Sequence, residues 1–235
     1  MTAPTRITRT IIDRDGAATS VRTTEVTPSG IGLARSSADV DLTEIACADL
    51  EIAVKYLIKM IRDRDPSTRQ MLKAVHEEGR STAAYARLGD VKTLSKKARI
   101  AFLSIWIECA HYIRREVADD IVLLDALRRL LPPYQGPALV LYRGETWREF
   151  SVQSYGMCWT SSRETAETFA CALNAEYPDG GVLIETFAPT DAIISQAPTS
   201  GVCGWERQYV VDRRRLNEVR QLTKYPSAYP MPPDN

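Results

Sequence analysis

With 235 residues, 44% hydrophobic and 26% charged, the chain has the composition of a soluble globular protein of one large or two small domains. Its 30 basic residues balance 30 acidic ones, which excludes an overall field that draws a protein to nucleic acid or to an anionic membrane. The five cysteines and two histidines form no Cys-x-x-Cys pair and no Cys/His cluster, so the sequence predicts neither a disulfide framework nor a metal site.

Targeting segments are also missing from the sequence. Residues 1–37 have no apolar segment behind their charges of the kind that a secretory signal peptide carries. The chain has no run of about twenty apolar residues, the length that spans a bilayer. We therefore expect no membrane partner and a cytoplasmic protein, or one delivered into the cytoplasm of a target cell by a machinery that needs no signal peptide.

The first half of the chain is predicted to be a leader followed by helices. Residues 1–40, rich in Thr, Ser and Arg, predict a mobile or weakly structured leader or a frayed hairpin, or alternatively an arm for secretion or partner binding. The sequence then predicts five elements in order: a helix over 41–63, a helix over 66–79, a short Ala-rich turn over 82–88, a long helix over 94–117, and a segment over 121–131 that continues or restarts this helix. In the fourth of these, we expect Phe102, Trp106 and Tyr112 to lie in the core. Pro132-Pro133 ends this helical region, 41–133.

After Pro137 the pattern changes from helical to β-rich. The strand candidates are 138–142, 181–187, 192–195, 208–211 and 217–222. One helix, 163–173, stands among them with Ser161 or Ser162 as its cap. The sequence thus predicts an α+β fold, with the helical region followed by a core at 134–225 that has few helices, and then a Pro-rich tail at 226–235.

The first of three polar patterns in this core is Arg143 followed by Gly144. An arginine at the end of a buried strand can offer its planar fork to a phosphate or a carboxylate, and the glycine lets a ligand approach the backbone. The alternative is an ordinary salt bridge at the end of a strand.

The second pattern, Trp159-Thr160-Ser161-Ser162, places hydroxyl groups between a strand and the start of a helix. Such groups, with the free N–H groups of the helix, can bind a sugar or phosphate or hold an arginine in place. The alternative is that they only cap the helix.

The third pattern is the pair Glu206 and Gln208. Two residues apart on a strand, their side chains share a face. A carboxylate and an amide side by side can grip ribose hydroxyls and stabilise positive charge at the anomeric carbon. The alternative is a polar edge strand.

In order and approximate spacing, these patterns resemble the Arg/Ser/Glu group of toxin-like mono-ADP-ribosyltransferases. The resemblance covers residues 138–222 and includes Ala166-x-x-Phe169-Ala170 after the hydroxyls and Val210-Val211-Asp212 after Gln208. It implies a split β-sheet core and NAD as co-substrate. An arginine rather than a histidine at position 143 separates the chain from the His-Tyr-Glu group, which includes the poly(ADP-ribose) polymerases. The helical region has no such resemblance.

The resemblance implies a role for each matching position. Arg143 would anchor NAD through its phosphates and the nearby ribose, and the backbone of Gly144 would hold the nicotinamide amide. Trp159 would contribute to the NAD pocket, and Thr160, or Ser161 if the register shifts by one, would support it with a hydroxyl; many relatives have Ser-Thr-Ser over 158–160. Glu206 would orient or deprotonate the acceptor.

Gln208 departs from the family, because it lies where the family has its catalytic glutamate. That glutamate grips the ribose 2′-hydroxyl and stabilises the oxocarbenium-like state as nicotinamide leaves. Losing a contact of this sort costs on the order of 3 kcal/mol, or about a hundredfold in rate. We expect a chain that binds NAD better than it turns NAD over, through a replacement that silences a toxic enzyme or through natural variation.

The resemblance favours an enzyme that transfers ADP-ribose from NAD to a macromolecule, as a toxin, an effector or a phage-conflict enzyme. The expected partners are an acceptor, protein rather than nucleic acid, and an antitoxin or immunity protein. Two alternatives are a non-catalytic NAD- or nucleotide-binding module that acts through a protein partner, and a structural interaction protein.

Overall fold

The computed structural model describes residues 5–12, 18–26, 41–197 and 208–228, the first two ranges as backbone only. The chain forms two compact units. The helical unit consists of Met1–Ala101 and Tyr112–Ala126, and the sheet unit of Phe102–His111 and Leu127–Asn235. The division therefore falls inside two helices, whereas the sequence predicts one boundary near residue 133.

The helical unit begins with an antiparallel strand pair, β1 (Thr5–Ile12) and β2 (Ala18–Val26). The helices that follow are α1 (Leu42–Cys47), α2 (Leu50–Asp63), α3 (Thr68–Glu77), α4 (Ser81–Gly89), α5 (Lys96–Val117) and α6 (Asp120–Leu130). The single helix predicted over 41–63 is two helices. The chain breaks at Ala48, and the Asp49 side chain accepts a hydrogen bond from the N–H of Glu51, which starts α2.

The long helix α5 agrees closely with the predicted 94–117, and Ser95 caps it by accepting the N–H of Ala98. Phe102 and Trp106 are each 1% exposed, which confirms the prediction that they lie in the core. The prediction for Tyr112 is wrong, because its side chain is 55% exposed. Arg115 instead places its guanidinium over the Tyr112 ring, 5.2 Å from the centroid.

Six antiparallel strands form the sheet of the sheet unit, in the order β6-β7-β4-β3-β5-β8. They are β3 (Leu139–Thr146), β4 (Cys158–Thr160), β5 (Gly181–Ala188), β6 (Ile193–Gln196), β7 (Gln208–Val211) and β8 (Arg220–Tyr225). Two short helices, α7 (Trp147–Ser151) and α8 (Arg163–Thr168), separate the first strands. The fold is thus α+β, as the sequence predicts.

The two faces of the sheet carry different apolar clusters. Leu141, Trp159 and Tyr209 belong to the larger cluster, together with Val182, Ile184, Ala188, Ala192, Ile193 and Val211. Leu183 packs on the other face with Ala166 and Ala170. Because successive strand residues point to opposite faces, this division fixes the side of the sheet on which each polar side chain emerges.

The helix after β4 lies directly on the sheet. From α8 the chain continues as a π-helical turn, Phe169–Leu173, which completes the helix predicted over 163–173. A Cβ atom on Gly144 would lie 2.4 Å from both Ala166 O and Ala170 N, and one on Gly181 would lie 1.9 Å from Ala170 O. The two glycines therefore allow this close packing.

Across the residues that the structure describes, none of the helices combines the length and the apolar character needed to span a bilayer.

Candidate functional site

Two of the three polar patterns meet in one row across the sheet. Thr160 on β4 pairs with Tyr142 on β3 on one side and with Gln208 on β7 on the other. Residues directly opposite one another in antiparallel strands point to the same face. The structure therefore brings the Thr160 hydroxyl and the Gln208 amide to the same face of the sheet, the face on which α8 packs.

The hydroxyl groups after β4 start helix α8. Thr160 is buried, and its Oγ1 accepts a hydrogen bond from the N–H of Ser162 at 3.1 Å. Ser162 Oγ accepts the N–H of Thr165 at 3.2 Å and so caps the helix. Ser161 is half-buried, and its side chain has no hydrogen bond to another described residue. The capping role is thus confirmed for Ser162.

Arg143 emerges on the other face of the sheet, together with Leu141 and Trp159. Its Nε donates a hydrogen bond to Glu145 Oε2 at 2.7 Å, and its Nη1 donates to the carbonyl oxygen of Cys158 at 2.6 Å. The arginine side chain is 22% exposed. The salt bridge that the sequence leaves open as an alternative therefore exists, and the guanidinium still reaches the surface.

Glu145 is the buried partner in this pair. Its Oε2 also accepts the N–H of Gly156 at 2.8 Å, and its Oε1 accepts the N–H of Thr146 at 3.0 Å. Burial raises the pKa of Glu145, but the charge of Arg143 and these hydrogen bonds outweigh burial and hold the pKa below its usual range. The carboxylate is therefore ionised at neutral pH.

The sheet splits where these side chains lie. β3 and β4 pair at a single position, Tyr142 with Thr160. After this pair the two strands separate, and side chains of β3 make the hydrogen bonds in place of the backbone. Arg143 donates to the Cys158 carbonyl, and Glu145 accepts the N–H of Gly156 across the gap. We call this gap between the two strands the β3–β4 split.

Gly144 and Trp159 are both explained by packing within the sheet unit. The Cα of Gly144 faces the backbone of α8, so the glycine is explained by helix packing. Trp159 is 1% exposed, and its Nε1 donates a hydrogen bond to Gly156 O at 3.0 Å. The indole ring therefore packs in the core and presents no face to a ligand, contrary to what a cofactor-binding role for Trp159 requires.

Glu206 lies outside the described residues, so the predicted Glu206–Gln208 pair is represented by Gln208 alone. The Gln208 side chain is half-buried at the start of β7, and its backbone carbonyl accepts the N–H of Ala197 at 2.8 Å. The structure thus brings Thr160 and Gln208 together and separates Arg143 from both by the thickness of the sheet.

A cleft of about 470 Å³ lies between the segment that precedes β4 and the segment that follows β7. None of the predicted site residues lines it; its walls are Gln153, Tyr155, Arg213, Arg214, Leu216, Asn217, Glu218 and Val219. Arg213 Nη1 donates to Ser154 Oγ and Tyr155 O, one residue from Gly156. Tyr155 also packs edge-on against Trp159, with ring centroids 6.5 Å apart.

Glu145 and Gly156 are site residues that the sequence reasoning missed. A signal existed for Glu145, because it stands two residues after Arg143 on a strand, the same spacing that pairs Glu206 with Gln208. No signal existed for Gly156, whose role depends on the path of the chain before β4. A Cβ atom there would lie 2.1 Å from Arg143 Nη2.

No protein-family model, curated protein or solved structure matches this chain.

Proposed function

We propose that the sheet unit binds NAD and is a mono-ADP-ribosyltransferase. The reaction breaks the bond between the nicotinamide nitrogen and the ribose C1′ and joins that carbon to a nucleophile of a macromolecule, which loses a proton. The observation that carries the proposal is the order of the strands. Three patterns that are distant in the sequence lie on the neighbouring strands β3, β4 and β7, two of them in one row.

The β3–β4 split is the place where we expect the dinucleotide to bind. Arg143 is part-exposed beside the split and suits a phosphate, because a guanidinium binds phosphate oxygens through charged hydrogen bonds. The amide oxygen of Gln208 suits a ribose hydroxyl. Because Arg143 and the Thr160–Gln208 row lie on opposite faces of the sheet, the proposal requires NAD to reach both through the β3–β4 split, with its phosphates at one face and its nicotinamide ribose at the other.

Gln208 makes turnover slow in this proposal. An amide keeps the hydrogen-bond acceptor but lacks the negative charge that stabilises the developing oxocarbenium ion. Removing a preorganised electrostatic contact of this kind costs on the order of 3 kcal/mol in the transition state. The chain therefore binds NAD and cleaves it weakly or not at all.

The test compares NAD cleavage by the chain with that of Gln208→Glu. We expect nicotinamide release to rise about a hundredfold in the variant, because the carboxylate restores the missing charge. Adding Arg143→Ala to Gln208→Glu should abolish the gain by removing the phosphate contact. If neither the chain nor Gln208→Glu binds NAD in calorimetry or releases nicotinamide, the proposal is wrong.

The geometry also favours a second function, a non-catalytic NAD- or nucleotide-binding module that acts through a protein partner. Gln208 has no charge, and the charge of Arg143 is balanced by Glu145, as suits binding without cleavage. In this case NAD binds both to the chain and to Gln208→Glu, and neither releases nicotinamide.

The acceptor in the leading proposal is a protein. The balanced charge of the chain provides no overall attraction for a nucleic acid. Glu206 would orient or deprotonate the acceptor side chain, and an antitoxin or immunity protein would protect the producing cell. Incubating Gln208→Glu with a cell lysate and labelled NAD, followed by protease or nuclease digestion, identifies the class of acceptor.

A further inference from the structure

Arg143 is held in one defined position by groups on both strands. Nε bonds Glu145 Oε2 on β3, and Nη1 bonds the carbonyl of Cys158 on β4. Gly156 lies against Nη2, so closely that a Cβ atom on residue 156 would be 2.1 Å from Nη2. The Nη2 group has no hydrogen bond to another described residue, so this edge of the fork is available to a ligand.

Glu145 is itself fixed by the backbone. Both of its oxygens accept backbone N–H groups, from Thr146 and Gly156, and its side chain is 6% exposed. A buried carboxylate with three hydrogen bonds cannot change rotamer without leaving donors unsatisfied. It therefore provides a rigid support for the arginine.

The hydroxyl pattern does not support Arg143 in this structure. Thr160 and Arg143 emerge on opposite faces of the sheet, and Thr160 Oγ1 accepts the N–H of Ser162. The support that the sequence assigns to a hydroxyl on β4 is supplied by a carboxylate on β3.

We propose that Glu145 is the positioning residue of Arg143, holding the guanidinium so that its Nη2 edge faces an anionic phosphate of the dinucleotide in the β3–β4 split. This inference rests on the proposed function for its ligand and on the observed contacts for its geometry. Glu145 does not touch the ligand; it acts through Arg143.

Two physical effects of Glu145 predict opposite results, which makes the proposal testable. If Glu145 only balanced the charge of Arg143, then Glu145→Gln would tighten the binding of an anion. If Glu145 positions the fork, the same substitution weakens binding, because the neutral amide holds the guanidinium less firmly; in enzymes, a misplacement of about 1 Å can lower the reaction rate about a hundredfold. We expect NAD binding to weaken about tenfold or more.

The experiment measures NAD binding by calorimetry and the hydrogen exchange of the Arg143 Nε–H by NMR, on the full chain. Glu145→Gln should weaken binding and speed the exchange of this proton. Gly156→Ala leaves the carboxylate in place but displaces the fork, and should weaken binding similarly. Asp191→Asn is the control: it removes a carboxylate from the exposed Asp191–Arg215 pair and should change neither measurement. Thermal unfolding followed by circular dichroism checks that each variant is folded.

Three outcomes separate this inference from the proposed function. If Glu145→Gln binds NAD as tightly as the parent chain or more tightly, while Arg143→Ala loses binding, the positioning role is overturned. If the parent's Nε–H exchanges as fast as that of an exposed arginine, the role is also overturned. If NAD binds neither to the parent nor to any folded variant, the proposed function fails. In that case, an Nε–H that exchanges slowly in the parent and fast in Glu145→Gln still supports the positioning of Arg143.

Discussion

Among the described residues of the sheet unit, two buried carboxylates pair with arginines, and the two clusters differ in the number of arginines that each acid binds. Asp212 has a side chain that is 0% exposed and accepts hydrogen bonds from the guanidinium groups of both Arg128 and Arg214. In the part of the chain that the structure describes, Glu145 forms an ion pair with Arg143 alone. An acid surrounded by two cations is suited to hold the fold together, whereas a one-to-one pair beside a gap is suited to present its cation to a ligand.

The Asp212 cluster connects separate parts of the sheet unit. Arg128 is in the last turn of α6, and Arg214 is in a 3₁₀ turn, Arg213–Arg215, directly after Asp212. The backbone N–H of Asp212 donates to the carbonyl of Ala192, just before β6. Asp212 thus binds a helix and a turn through its carboxylate and the residue before β6 through its backbone N–H.

The largest effect that we predict is the loss of stability in Asp212→Ala. The substitution leaves two guanidinium groups without their common acceptor, and breaking a buried ion pair by removing one partner costs about 3–5 kcal/mol. Urea unfolding followed by circular dichroism measures the difference. Asp191→Ala is the matched control: Asp191 and its partner Arg215 are both exposed, and we expect a loss of about 1 kcal/mol or less. Equal losses in the two variants would show that Asp212 has no special structural role.

A smaller loss of stability is expected for Glu145→Ala. The N–H groups of Gly156 and Thr146 lose their acceptor, which costs about 1–3 kcal/mol, whereas Arg143 can turn towards solvent from its part-exposed position. The same urea experiment tests this expectation. A loss as large as that of Asp212→Ala would mean that Glu145 is a second structural anchor, and the contrast between the clusters would disappear.

The fold could be predicted where local signals are strong and not where distant residues decide. The sequence predicts α5 nearly to its ends, because its apolar period is long and Ser95 is a good cap. The break at Ala48 was missed, since apolar residues at helical spacing continue on both sides of it. The sequence predicted strand 217–222, yet β8 is Arg220–Tyr225. Its limits follow from pairing with β5, which no local pattern encodes.

The candidate site shows the same limit more sharply. The sequence places an arginine, hydroxyls and an amide on three strands, and the structure makes those strands neighbours. Which of the side chains share a face depends on register, because a slip of one residue moves a side chain to the other face. Because Tyr142 pairs with Thr160, Thr160 lies on the same face as Gln208. Arg143 lies on the opposite face with Glu145. Only the pair Arg143–Glu145 follows from local spacing.

The smallest effect that we predict is a difference in how much each cluster contributes to the pH dependence of stability. Burial raises the pKa of each carboxyl, but the neighbouring arginines lower the pKa by more. These are Arg214 and Arg128 at Asp212, and Arg143 at Glu145. Arg215 also lies near Asp212, with its Nε 4.0 Å from Oδ2. A carboxyl whose pKa is lower in the folded than in the unfolded chain stabilises the fold fully above its unfolded pKa, about 4, and loses this contribution as the pH falls through the folded value.

The stability of the chain should therefore fall steadily below about pH 4. Asp212→Asn and Glu145→Gln remove one titrating group each, so we expect the free energy of unfolding to depend less on pH in both variants over this range. The flattening should be larger for Asp212→Asn, because two guanidinium groups favour the ionised form of that acid and one favours that of Glu145. Urea unfolding at several pH values between 3 and 7 measures these slopes. A slope that Glu145→Gln flattens more than Asp212→Asn would place the stronger ion pair at the β3–β4 split, and the contrast between the two clusters would be reversed.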